Sequence, residues 1–383
     1  MPDYRTKIRK HRLAFVYRIV LAIAGFGVLA AIVYIQYRNH VYTDYEVISS
    51  INKSYVNGTK SDRLGECILT YSADGAHLTD SAGNVLWNQT FEMQSQIVEI
   101  SGDVVAIGDY NGHEVYVLNS KEKLYRIDTT MPIRSIAVTA SGRVAVAVAD
   151  TKITWIYIYD TDGTPIYEIK TTMAQSGYPV SFAFSPNGEL LGVSCIYVDS
   201  GVVKSHVAFY NFGAVGSNKS DYLVNGYTYP DTIIPYIQFL SNDSAVAIGD
   251  DRTVFYKGDQ IPTLLTQYIY EDEIQGVYHS NTHVGIMFPS DEADARSKMV
   301  VYGANSAKVG TYYFDTDYHD ILFAEDYFVA YGNKECLIRT FDNIDKYKGT
   351  FTKTVNLMLP VGNGGNYRFL LMTDDSIDTI QMK

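Results

Sequence analysis

Between Ile19 and Ile35 the chain runs for seventeen residues without a charge (IVLAIAGFGVLAAIVYI). As a helix rising about 1.5 Å per residue, this stretch is about 26 Å long, slightly short of a roughly 30 Å hydrocarbon core. Leu13–Tyr17 add more than a turn beyond Arg18, whose side chain reaches a headgroup layer at modest cost. Tyr17, Tyr34 and Tyr37 stand where interfacial aromatics belong. The pattern predicts a transmembrane helix over residues 13–37 in preference to a buried core helix.

Beyond Tyr42 the period changes. Short runs rich in Val, Ile, Tyr and Phe alternate with Gly, Asp, Asn and Ser, which reads as strands and turns throughout. One run recurs. Val104-Val105-Ala106-Ile107-Gly108-Asp109 returns as Val246-Ala247-Ile248-Gly249-Asp250, with variants starting at 144, 190, 285, 328 and 369. From 104 the steps are 40, 46, 55, 40, 43 and 41 residues, and Ile68-Leu69-Thr70-Tyr71 adds an eighth copy upstream. A Gly-, Asn- and Ser-rich insert at Asn211–Tyr229 accounts for the long step.

A second element keeps a fixed register: Asp80-x-x-Gly83-x-x-x-Trp87 matches Asp160-x-x-Gly163-x-x-x-Tyr167. Asp bonds its own backbone at the bend, Gly supplies positive φ, and the aromatic opens the next strand. A third element, Phe184-Ser185-Pro186-Asn187-Gly188-Glu189-Leu190-Leu191, is a turn opening into a strand. A period of 40–45 residues holding about four strands predicts an all-β fold, a β-propeller of four-stranded blades preceded by one N-terminal helix. Eight copies of the first run predict eight blades. Tyr45–Ile51 would then close the ring as outer strand of a last blade built from Asn356–Lys383. Seven blades, with residues 64–91 merged into the C-terminal blade, is the alternative.

The Ser185–Leu191 stretch resembles the turn of WD40-type blades, and the Asp80–Trp87 hairpin resembles that of pyrroloquinoline-quinone-type propellers. The chain also resembles, over nearly its whole length, an uncharacterised family of membrane-anchored β-propellers from Gram-positive bacteria. The stretches that carry this are Ile68–Gly75, Trp87–Met93, Ser176–Val180, Val207–Gly213 and Gly249–Arg252. The resemblance implies fold and topology and transfers no functional residues.

Charge sharpens the division. The net charge of −12 comes from 31 basic and 43 acidic residues, but seven bases and one acid fall within residues 1–38. Such an acidic remainder excludes nucleic acid as the expected partner. Arg5, Lys7, Arg9, Lys10 and Arg12 precede the span, and only Arg38 follows before Asp44 and Glu46, so the N-terminus is expected in the cytoplasm. The apolar run exceeds a signal-peptide core and ends in Tyr34-Ile35-Gln36-Tyr37, which favours a retained signal anchor over a cleaved leader. The expected division is a cytoplasmic tail (1–12), the span (13–37), a juxtamembrane linker with the closing strand (38–62), and an extracytoplasmic propeller (63–383).

Candidate chemistry is sparse. Cys67, Cys195 and Cys336 lack metal-ligand spacing and read as buried thiols or at most one disulfide. Gly362-x-Gly364-Gly365 places Tyr367 where a dinucleotide loop needs its third Gly. His279 and His283 have helical zinc spacing on a strand-turn-strand pattern. Asp315 and Asp317 alternate as Ca²⁺ ligands do, but Asp320 fills the sixth position, where such a loop needs Gly. No cofactor, metal or catalytic residue is assigned, and the expectation is a non-catalytic scaffold that binds a protein or envelope component. The competing expectation is a glycan-directed or Ca²⁺-dependent enzyme with acids converging in the propeller funnel. Candidate partner contacts lie in the insert, at Asn218, Tyr222, Tyr227 and Tyr229, whose Tyr, Gly, Ser and Asn mixture is that of adaptable binding loops.

Overall fold

The computed structural model describes residues 4–52, 58–80, 82–150, 153–172, 176–361 and 367–383. A single helix, Tyr4–Arg38, is followed by eight four-stranded antiparallel sheets. In seven of them the strands follow chain order from the innermost outward. The eighth takes its three inner strands from Val355–Pro360, Arg368–Thr373 and Ser376–Met382 and its outer strand from Tyr45–Asn52. Tyr45 pairs with Met382 and Ile51 with Ile377, so strands from the two ends of the propeller close the ring. Eight blades, not seven, are present. The loop around Gly362–Gly365 lies outside the described residues.

Each copy of the recurring apolar run is the second strand of a blade, from Cys67–Ser72 in the first to Arg368–Thr373 in the last. Its position explains its composition. A second strand has sheet neighbours on both edges and adjacent blades on both faces, so it is apolar without alternation, as in Val144–Ala149, which is buried throughout. Outer strands have water on one side and alternate weakly, as in Val85–Thr90. Burial is concentrated between blades. Among the described residues the core divides into eight clusters, each formed by two adjacent blades. The junction between the last blade and the first is the smallest, with five buried residues against nine to thirteen elsewhere.

The Asp-Gly-aromatic element performs two tasks. Asp80 Oδ1 accepts from the amides of Ala82 and Asn84 at 2.9 and 2.8 Å, while Gly83 and Gly163 sit at φ +87° and +82°. The aromatic then crosses to the next blade. Trp87 Nε1 donates to Asn119 O at 2.9 Å, and Tyr268 and Tyr312, two residues further along the outer strands of later blades, donate to Ser306 O and Phe341 O. Tyr167 instead packs its ring 4.7 Å from that of Tyr222.

The long repeat step has two sources. Blade four has second and third strands of ten residues each, Leu190–Asp199 and Val202–Asn211, and a long turn between its third and outer strands. That turn carries a short 3₁₀ segment, Gly216–Asn218. The end of the Asn211–Tyr229 insert is itself the outer strand, Leu223–Tyr229. All three cysteines are free, with Cys195 and Cys336 buried and Cys67 half-buried.

Candidate functional site

Antiparallel alternation assigns every turn to one of two faces. Turns joining first to second and third to outer strands share one face, called here the near face. Turns joining second to third strands, and one blade to the next, share the far face. The innermost strands surround the axis, and they carry an unusual set of ionisable groups.

Asp62 stands on Lys60–Leu64, Glu99 on Gln96–Ser101, His279 on Gly276–His279 and Asp320 on Asp320–Phe323. Glu99, Gln238 and His279 line a cavity of about 380 Å³ whose wall continues over the near-face turns at Gly102, Ala140, Pro186 and Asn281. Glu99 is exposed to this cavity, yet protein surrounds it. Loss of bulk solvent pushes its carboxyl up from 4.5 to about 7, with the charge of Asp62 adding to the effect. Asp62 is likewise raised, first by burial and then by Asp320. Asp320 accepts from the Tyr331 hydroxyl at 3.1 Å, which lies toward the far face. Burial lowers His279, whose ring lies 5.7 Å from that of Tyr236. Around neutral pH the cavity therefore presents a carboxyl that keeps its proton to higher pH than an ordinary glutamate, a neutral imidazole and the amide of Gln238. That set suits hydrogen bonding to polar neutral groups. Among the described residues no three His, Cys, Asp or Glu side chains stand close enough to hold a metal ion.

The two histidines with zinc spacing part company: His279 faces the channel, and His283 stacks 4.4 Å from Phe341. The acids around 315 form a turn between blades, with Asp315 paired to Lys348 at 2.7 Å and Asp317 to Arg296 at 2.9 Å. The insert tyrosines serve blade junctions. Tyr222 packs on Tyr167 and Phe212; the Tyr227 hydroxyl accepts from the Leu264 amide at 2.9 Å; Tyr229 is buried with its hydroxyl on that of Tyr256. Asn218 is exposed and donates to Ala214 O at 2.9 Å.

The insert is tied into the ring. Asn211, fully buried, donates through Nδ2 to Gln260 O at 2.9 Å and accepts from the Gly213 amide at 2.7 Å. A Cβ on Gly216 would lie 1.6 Å from Asn211 O. Gly216→Ala is therefore expected to displace the turn, cost about 1–3 kcal/mol, and open a protease site within 212–222. A melt and a digestion pattern identical to the parent would mean that the insert floats free of Asn211.

The family of unknown function DUF5711 matches residues 38–382. The chain belongs to this family. No curated protein sequence matches it. Among solved structures, this DUF5711 chain is similar to BamB from Moraxella catarrhalis, with a TM-score of 0.51 at 9% identity, covering 89% of this chain and 98% of that one. A eukaryotic initiation factor matches with a TM-score of 0.54 at 14% identity over 88% and 87% of the two chains. At these identities the likeness is one of fold, and the DUF5711 ring shares it with pyrroloquinoline-quinone-like and WD40 propellers.

Proposed function

We infer that this DUF5711 protein is a non-catalytic scaffold, tethered by its helix to the cell membrane and displaying its propeller outside the cytoplasm to bind a protein or envelope component. The ring supplies rigid turns on two faces, and propellers commonly act as binding scaffolds. The observation that carries the tether is the use the fold makes of the residues after the helix. Lys10–Gln36 is long and apolar enough to cross a membrane, and among the described residues none of its most apolar stretch is buried. Directly after it, the Thr43 and Asp44 amides donate to Lys383 O, and Tyr45 begins the closing strand. A helix joined so closely to the closure favours a retained anchor over a cleaved leader.

An exposed position on the far face, introduced as Lys334→Cys, tests the orientation. A membrane-impermeant maleimide should label it in intact protoplasts as fully as after lysis. Labelling only after lysis would overturn the orientation. The enzyme reading has one observation in its favour, the raised carboxyl of Glu99. Release of soluble sugars from envelope glycan by the purified protein, lost in Glu99→Gln, would support it over the scaffold.

A further inference from the structure

We propose that the near face of the propeller lies against the lipid headgroup layer, with the turns of the seventh blade beside the helix exit, so that the far face alone is offered to soluble partners. This rests on the anchoring inferred above.

The link between helix and ring has no slack. Arg38 pairs with Asp342, in the turn joining third and outer strands of blade seven. The buried Lys346 ammonium donates to Arg38 O and, at 3.2 Å, to His40 O, capping carbonyls that the helix end leaves open. The Tyr42 amide donates to Lys346 O at 2.7 Å. A cation at a helix C-terminus is favoured by the dipole as well as by these bonds. The ring is thus held on the end of the helix as on a rigid stem.

The depth of the contact fixes the face. Tyr34 lies one turn before Arg38, about 6 Å further into the layer the helix crosses. Yet Tyr34 lines a cleft of about 530 Å³ together with Asp326, Phe341 and Asp342, all in near-face turns of blade seven. Those turns therefore reach below the helix exit, to the level of an interfacial aromatic.

The test uses the full-length chain in phosphatidylcholine vesicles, with Cys67→Ser removing the half-buried thiol. Two exposed positions at opposite ends of blade seven, Glu325→Cys on the near face and Lys334→Cys on the far face, each carry a fluorophore. A nitroxide on the lipid headgroup should quench the label at 325 at least about threefold more than that at 334, given a headgroup layer only several ångströms thick. Adding Lys346→Ala, or the milder Asp342→Asn, should cut that ratio while leaving the melting profile of the ring in place. Equal quenching at the two positions in carbonate-resistant protein would overturn the apposition and leave the anchor standing. Extraction by carbonate would overturn the anchor and the apposition together.

Discussion

Deleting residues 372–383 is expected to abolish the folded ring, leaving a chain that protease degrades throughout instead of trimming to a resistant core. The lost segment contains Ser376–Met382, the strand between Tyr45–Asn52 and Arg368–Thr373. Its removal strands both neighbours, since it pairs with the first from Tyr45 to Asn52 and with the second from Arg368 to Met372. It also enters two junctions at once: Ile380 and Met382 pack between blades seven and eight, and Ile377 between blades eight and one. Burying three such side chains contributes roughly 5–9 kcal/mol, against a total stability of about 5–15 kcal/mol for a whole domain. Ile380→Asp, which keeps the chain length, should act in the same direction by placing a charge where the native residue is fully buried. A protease-resistant domain after the deletion would show that the ring holds without its closing strand.

Glu99→Gln is expected to stabilise the protein at pH 8 and to leave it unchanged at pH 4. In the ring the Glu99 carboxyl titrates at about 7, because burial and then Asp62 oppose its charge; in the unfolded chain it titrates near 4.5. Below 4.5 both states hold the proton and the residue costs nothing. As pH rises through 4.5–7 the unfolded chain gives up the proton more readily than the ring, so stability is lost, and the full penalty is present above 7. Asp62 is raised in the same sense and steepens the loss. Channel water screens Glu99, which reduces the expected penalty to about 1–2 kcal/mol. Denaturant melts of parent and variant from pH 4 to 8 measure it. Curves that stay parallel across that range would mean that the carboxyl is fully solvated.

The architecture was legible where one physical cause acts on a whole segment. Second strands such as Val144–Ala149 are enclosed on every side, so their composition repeats strongly enough to count blades. The closing role of Tyr45–Ile51 followed from the count, because a ring with one unpaired edge needs a strand from the other terminus. The channel was not legible. Asp62, Glu99, His279 and Asp320 come from four blades spread across more than half the chain, and each is one polar residue in an ordinary strand. The available signal was an acid inside an apolar inner strand, as in Ile97-Val98-Glu99-Ile100, and one such residue marks nothing by itself. The insert tyrosines have a second role that their composition did not disclose. A tyrosine has an apolar body and a polar tip, so the composition that suits a binding loop also suits a blade junction, where Tyr222, Tyr227 and Tyr229 are engaged. The last seven residues of that segment, Leu223–Tyr229, are a regular strand.

The strand that closes the ring is also the strand that leaves the helix. Tension on the helix that passes the contacts of Arg38 and Tyr42 with blade seven would run from Tyr45 along Tyr45–Asn52, antiparallel to its partner Ser376–Met382, and across the rungs that join them. Pulled lengthwise, the rungs share the force and must fail together; pulled sideways, they would peel one at a time. The connection thus resists in shear, although the junction it closes is the smallest among the described residues.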